Sequence, residues 1–158
     1  MPALIEVVTD IQATAGVVFA LELDMDVHAA SLAGSRETAT TSTGRREVRL
    51  GDEVTFRARH FGIVWSMTSR ITAHEPPRRF VDEQVRGPFR ALVHEHVFED
   101  LGGGRTQMID RMTITAPFGP LGALVTRVVL SPYLRRLLEQ RAAHIKQLAE
   151  HQEERDSA

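Results

Sequence analysis

Ala91-Leu92-Val93-His94-Glu95-His96-Val97-Phe98-Glu99, then Gly102-Gly103-Gly104, then Thr106 through Thr115, is the stretch that decides the fold. Side chains along a strand alternate between faces, so His94, His96 and Phe98 share one side and Glu95 and Val97 the other. The glycines supply the positive φ of a hairpin turn, which pairs the two segments antiparallel. On the second strand Asp110 shares its face with Met108 and Met112. Working back along the chain, strands read at Phe80–Arg86, Ile63–Ala73 and Val54–Arg59, with further β-formers at Thr38, Thr40, Thr41 and Thr43. Gly51-Asp52 and Gly62 mark turns, and Pro76-Pro77 stops a strand because proline donates nothing to a ladder. Short connections between successive strands make an antiparallel meander.

Ahead of the meander, Ile5–Ile11 is apolar and β-branched, a first strand. Thr14 caps a short helix carrying Val17, Val18, Phe19 and Leu21, and Asp24 or Asp26 caps a second one ending near Gly34. After Pro117-Phe118-Gly119-Pro120, the residues Leu121, Leu124, Val125, Val128, Val129, Leu134, Leu137, Leu138, Ile145 and Leu148 recur at spacings of three and four. They trace one stripe of a long helix, with Ser131-Pro132 as a kink or a restart. The fold class is therefore α+β: a curved antiparallel sheet of about six to seven strands, two short helices and a long C-terminal helix. A sheet with one apolar face and a helix with one apolar stripe each need a cover, and each covers the other. A strongly twisted sheet leaves a straight helix over part of its length, so the two enclose a cavity. One domain is expected over residues 1–152, with 153–158 a charged, frayed tail.

The run from Phe80 to Phe89, His94-Glu95-His96-Val97-Phe98-Glu99, the segment Gly104–Asp110 and Ala116–Gly122 resemble the SRPBCC group of START-like, Bet v 1-like helix-grip proteins. The likeness is strongest to the bacterial polyketide cyclase/dehydrase-like, ligand-binding branch, and covers nearly the whole chain. Leu92 stands where related sequences often carry an aromatic residue. The resemblance implies a helix-grip fold and an internal site for a hydrophobic small molecule such as a lipid, polyketide or aromatic metabolite. It also leaves open an aromatase/cyclase or dehydratase acting on a polyketide-like substrate, and a protein-interaction module.

If the faces bearing Phe98, Met108 and Asp82 all point inward, the cavity wall carries Asp82, Gln84, His94, His96 and Asp110. A histidine beside an aspartate can serve as a general base, the carboxylate holding the imidazole tautomer. His94, His96 and Asp110 are thus the candidate catalytic groups. Equally, the same groups can satisfy one another as a buried polar layer or orient a ligand. Phe56, Trp65, Met67, Asp82, Gln84, Arg86, Phe98, Met108 and Met112 are the candidate ligand-binding residues, the methionines because they adapt to irregular shapes. Two histidines two apart on a strand hold their rings about 6–7 Å apart, which disfavours shared metal ligation, so neither metal nor other cofactor is expected.

The chain has 158 residues and a net charge of −2, with no cysteine and therefore no thiolate chemistry. Lys146 is the sole lysine, and the arginine pairs are scattered among acids, so no basic stripe for nucleic acid forms. No apolar run reaches membrane-spanning length, the helix carries mixed charge, and the start lacks a secretory pattern. A cytoplasmic monomer or homodimer without stable membrane insertion is expected. No serine sits in a nucleophile elbow, and the triple glycine lacks the Lys-Ser/Thr of a phosphate loop.

Overall fold

A computed structural model describes residues 1–158. Seven strands, β1 (Ala3–Ile11), β2 (Thr38–Thr41), β3 (Glu53–His60), β4 (Ile63–Glu75), β5 (Arg79–Arg86), β6 (Ala91–Gly102) and β7 (Arg105–Thr115), form one antiparallel sheet. Its order is β1-β7-β6-β5-β4-β3-β2: a meander from β2 to β7, with the first strand returning to the last. Curvature has a local cause. β4 changes register against β5 between Thr68 and Ser69 and again between Ile71 and Ala73, and such bulges bend a strand and raise its twist.

The helices are α1 (Ala15–Glu22), α2 (Met25–Ser31), α3 (Gly119–Val125) and α4 (Ser131–Asp156). Asp24 caps α2, its carboxylate accepting the N–H groups of Asp26 at 3.0 Å and Val27 at 3.2 Å. Thr14 precedes α1 but its side chain makes no capping bond. α4 packs against β1, α1 and α2 through Leu138, Arg141, Ala142, Ile145 and Ala149, the i, i+3, i+4, i+7, i+11 set of one face. Its alanines let the backbone approach the sheet closely. The solid core lies here, with Ile5, Ile11, Met108 and Ile145 fully buried, each contributing about 1.5–3 kcal/mol. Phe19 of α1 meets Phe80 and Phe98 edge-on at 5.7 and 5.4 Å.

α4 runs to Asp156, and Glu153 accepts the Thr14 N–H at 2.9 Å while Glu150 accepts that of Gln12 at 3.0 Å. The helical stripe expected from Leu121 onward is not continuous. Leu121, Leu124, Val125, Val128 and Val129 are exposed, because α3 and the wider π-turn at Thr126–Leu130 stand over the cavity mouth and not over the core. Pro132 explains the break, since it lacks an N–H and its ring crowds the carbonyl four residues earlier. Gly122 is required where it stands: a Cβ there would run into the Pro117 carbonyl oxygen.

Candidate functional site

Register assembles the site. Asp82 of β5 lies opposite His94 of β6, and His96 lies opposite Asp110 of β7, so four polar residues occupy adjacent inward positions on three strands. Asp110 then lies against both rings, and Asp82 bonds to His96. His94 Nε2 donates to Asp110 Oδ1 at 3.2 Å and His96 Nε2 to Asp82 Oδ1 at 3.1 Å. His96 Nδ1 lies 3.1 Å from the same Asp110 oxygen, an ion-pair contact lacking hydrogen-bond alignment. Because both rings turn toward shared carboxylates, their centroids stand 3.8 Å apart. This overturns the expected separation along the strand, which assumes rings projecting in parallel.

Two helices complete the cluster, and neither contribution follows from the strand pattern. Glu22, at the end of α1, places Oε2 at 3.6 Å from His96 Nδ1. Arg141 of α4 forms a buried ion pair with the same carboxylate. A signal existed: Arg141 interrupts the apolar stripe between Leu138 and Ile145, and Glu22 sits one turn from Val18 and Phe19. Nearby, His28 Nε2 contacts Glu37 at 2.5 Å and its ring lies against Phe56. Glu22 Oε1, Ser69 Oγ and Arg141 Nε are buried without a protein partner.

These contacts set the charge states. Burial opposes an imidazolium at His96, but the Asp110 and Asp82 carboxylates more than offset it, and its pKa rises to about 9. Burial likewise opposes ionisation of Asp82, yet the His96 hydrogen bond and the charge nearby bring it down to about 2. Asp110, buried but hydrogen-bonded to His94 and in ion-pair contact with His96, is held well below the usual carboxylate range. His94 is pushed down, by burial first and then by the cationic His96. Its Nε2–H is given to Asp110, so Nδ1 keeps its lone pair, 3.9 Å from Asp82 Oδ1 and outside hydrogen-bond reach. Burial raises the Glu22 carboxyl against the pull of Arg141.

The cluster forms one wall of a cavity of about 540 Å³, otherwise largely apolar. Phe56, Trp65, Met67, Asp82, His94, His96 and Met112 line it. Met108 and Phe98 share the inward face of their strands but lie outside the lining, in the core under α1, because Phe19 covers that end of the sheet. Asp110 sits behind the histidines. Gln84 is not at the wall: its amide donates to the Phe89 carbonyl at 2.7 Å and accepts the Phe89 N–H, fastening the β5–β6 turn. Arg86 points outward, its side chain 77 % exposed and 4.0 Å from Glu53. The mouth lies between α3 and the β3–β4 turn, where Phe61, Phe118 and Leu121 are exposed. Tyr133 of α4 bridges its two sides, its hydroxyl 2.6 Å from His60 Nδ1 and its ring 4.6 Å from Phe61.

A curved antiparallel sheet gripped by a C-terminal helix, around a deep apolar cavity, defines the START/Bet v 1 class of helix-grip proteins. The chain belongs to the family described as polyketide cyclase / dehydrase and lipid transport, which matches residues 2–150. Among solved structures it is similar to the Zhui aromatase/cyclase from Streptomyces sp. R1128, at 17 % identity and TM-score 0.68 over 100 % of this chain and 97 % of that one. A START superfamily protein from Mycobacterium smegmatis gives 11 % identity and TM-score 0.69 over 94 % and 97 %. A major latex-like protein from Panax ginseng gives 13 % and 0.66 over 94 % and 97 %. At these identities the likeness is one of fold. No curated protein matches the chain by sequence. No helix is long and apolar enough to cross a membrane.

Proposed function

We propose that this protein binds a hydrophobic small molecule, a lipid, polyketide or aromatic metabolite, inside the cavity. The observation that carries the reading is the cavity's construction: about 540 Å³ of mainly apolar wall with one buried polar cluster. That volume falls within the range of small-molecule sites, and convergent polar groups on an apolar wall orient a guest. Native mass spectrometry of protein from its own host is expected to show a co-purifying apolar mass, and a fluorescent apolar probe is expected to bind saturably. Absence of both, or probe binding unaffected by Met67→Trp within the wall, would sink the reading.

A second reading, proton-transfer chemistry of the cyclase or dehydratase kind, is favoured by one feature. His94 is a neutral imidazole at the cavity wall with Nδ1 free to accept a proton, and Asp110 holds its tautomer. With a poly-β-keto substrate, loss of turnover in both His94→Ala and His96→Ala supports it. Unchanged product formation removes it and leaves the carrier.

A further inference from the structure

We propose that Asp82, His94 through Nδ1 and His96 through Nε2 form a binding site for a divalent first-row transition-metal ion in the cavity wall. Three observations converge on it. One donor atom from each of these residues lies within 4.8 Å of the others. Asp82 Oδ1 is 3.1 Å from His96 Nε2 and 3.9 Å from His94 Nδ1. Donors about 2.0–2.1 Å from a common ion in tetrahedral array stand about 3.4 Å apart, so small rotamer adjustments close the set.

The outer groups are already placed. Metal-bound histidines pass their second ring nitrogen to a carboxylate, which fixes tautomer and ring orientation. Here the second nitrogens, Nε2 of His94 and Nδ1 of His96, lie 3.2 and 3.1 Å from one Asp110 oxygen. His94 is 4 % exposed, and its Nδ1 has no hydrogen-bond partner while its residue lines the cavity. Asp82 is also reachable, its side chain 15 % exposed.

Charge points the same way. Glu22, Asp82 and Asp110 face one guanidinium, Arg141, and one imidazolium, His96, so one positive charge is still wanting. A divalent ion in place of the proton between His96 and Asp82 supplies it. Two imidazoles and one carboxylate select the zinc, cobalt or ferrous class over magnesium or calcium, which take oxygen donors. The other grouping, Glu22 with His96 and Asp110, is an inferior site: Arg141 holds Glu22, and Asp110 is committed to both rings. The remaining coordination positions face the cavity, and the inference does not depend on which guest occupies it.

The test uses the full chain, treated with EDTA and then titrated with Co²⁺. One ion per chain is expected, with visible cobalt absorption and the large contact shifts of metal-bound imidazole on the rings of His94 and His96. Asp82→Asn and His94→Gln are each expected to weaken binding by on the order of a hundredfold, and Asp110→Asn by about 10–100-fold. His151→Gln, at an exposed histidine, is expected to leave it unchanged. No stoichiometric binding, contact shifts on other histidine rings in place of His94 and His96, or full affinity in both Asp82→Asn and His94→Gln overturns the proposal. If those variants fail to fold, the ring shifts of the unaltered protein decide it. Apolar-probe binding by EDTA-treated protein reports separately on the cavity.

Discussion

His96 lies flat against Phe80, ring centroids 4.0 Å apart and planes 15° from parallel. Its ring centroid also lies 3.8 Å from that of His94. The buried cation is thus held by two carboxylates at its edges and by an aromatic face, and the face contributes about 0.5–2 kcal/mol. Phe80→Leu should lower the His96 pKa from about 9 by roughly half a unit to one and a half units. Ring-nitrogen NMR of EDTA-treated protein measures this directly; an unchanged value would show that the stack is packing alone.

Arg141 and Glu22 form a buried pair joining α4 to α1. Removing one partner strands the other charge, so Arg141→Met and Glu22→Gln should each cost about 3–5 kcal/mol in urea unfolding. The double variant should recover a substantial part of that loss. Additive losses would mean the pair is not coupled.

pH should act through the same cluster in EDTA-treated protein. His96 has a folded pKa of about 9 against 6.5 for the free group. Its contribution is therefore complete below 6.5 and is lost as pH rises through about 9. Asp82, at about 2 against 3.8, contributes fully above 3.8 and loses that contribution as pH falls through 2. Melting temperature should fall along both limbs, and His96→Gln should flatten the alkaline one; an alkaline limb that persists in this variant rules out His96 as its cause.

Tyr133 and His60 span the mouth. Tyr133→Phe removes a bond worth about 0.5–1.5 kcal/mol, so probe dissociation should accelerate about 2–10-fold by stopped flow. Equal rates would place the entry route elsewhere.

Gly122→Ala forces a Cβ into the Pro117 carbonyl and should shift α3, lowering both stability and probe affinity. Gly16→Ala in α1, where a Cβ meets nothing within 4 Å, should instead stabilise by about 0.5–1 kcal/mol. Reversal of this order in melting experiments would contradict the packing around α3.

Strand alternation is local geometry, which is why the amino-acid order alone places Asp82, His94, His96 and Asp110 on one face. Alternation says nothing about which end of that face is covered. Met108 and Met112 share a side of β7, yet α1 seals one into the core and leaves the other at the cavity. Ring direction is equally illegible in the chain, since χ angles are set by a shared acceptor on the next strand. The imidazole spacing inferred from the strand repeat is too long for that reason. Arg141 and Glu22 depend on how two helices rotate against the sheet, a tertiary matter. Their only trace in the chain is a charge on an otherwise apolar stripe.

Pairing of β1 with β7 has a consequence for how the chain reaches this state. Ala3 finds its partner at Ile114, and Ile11 at Thr106, so the opening segment has no ladder to join until roughly a hundred residues have followed it. Such distant pairing slows folding, and on the ribosome it obliges β1 to wait beside an unfinished template. Severing the chain between α2 and β2 would therefore leave two pieces, each lacking the edge it needs.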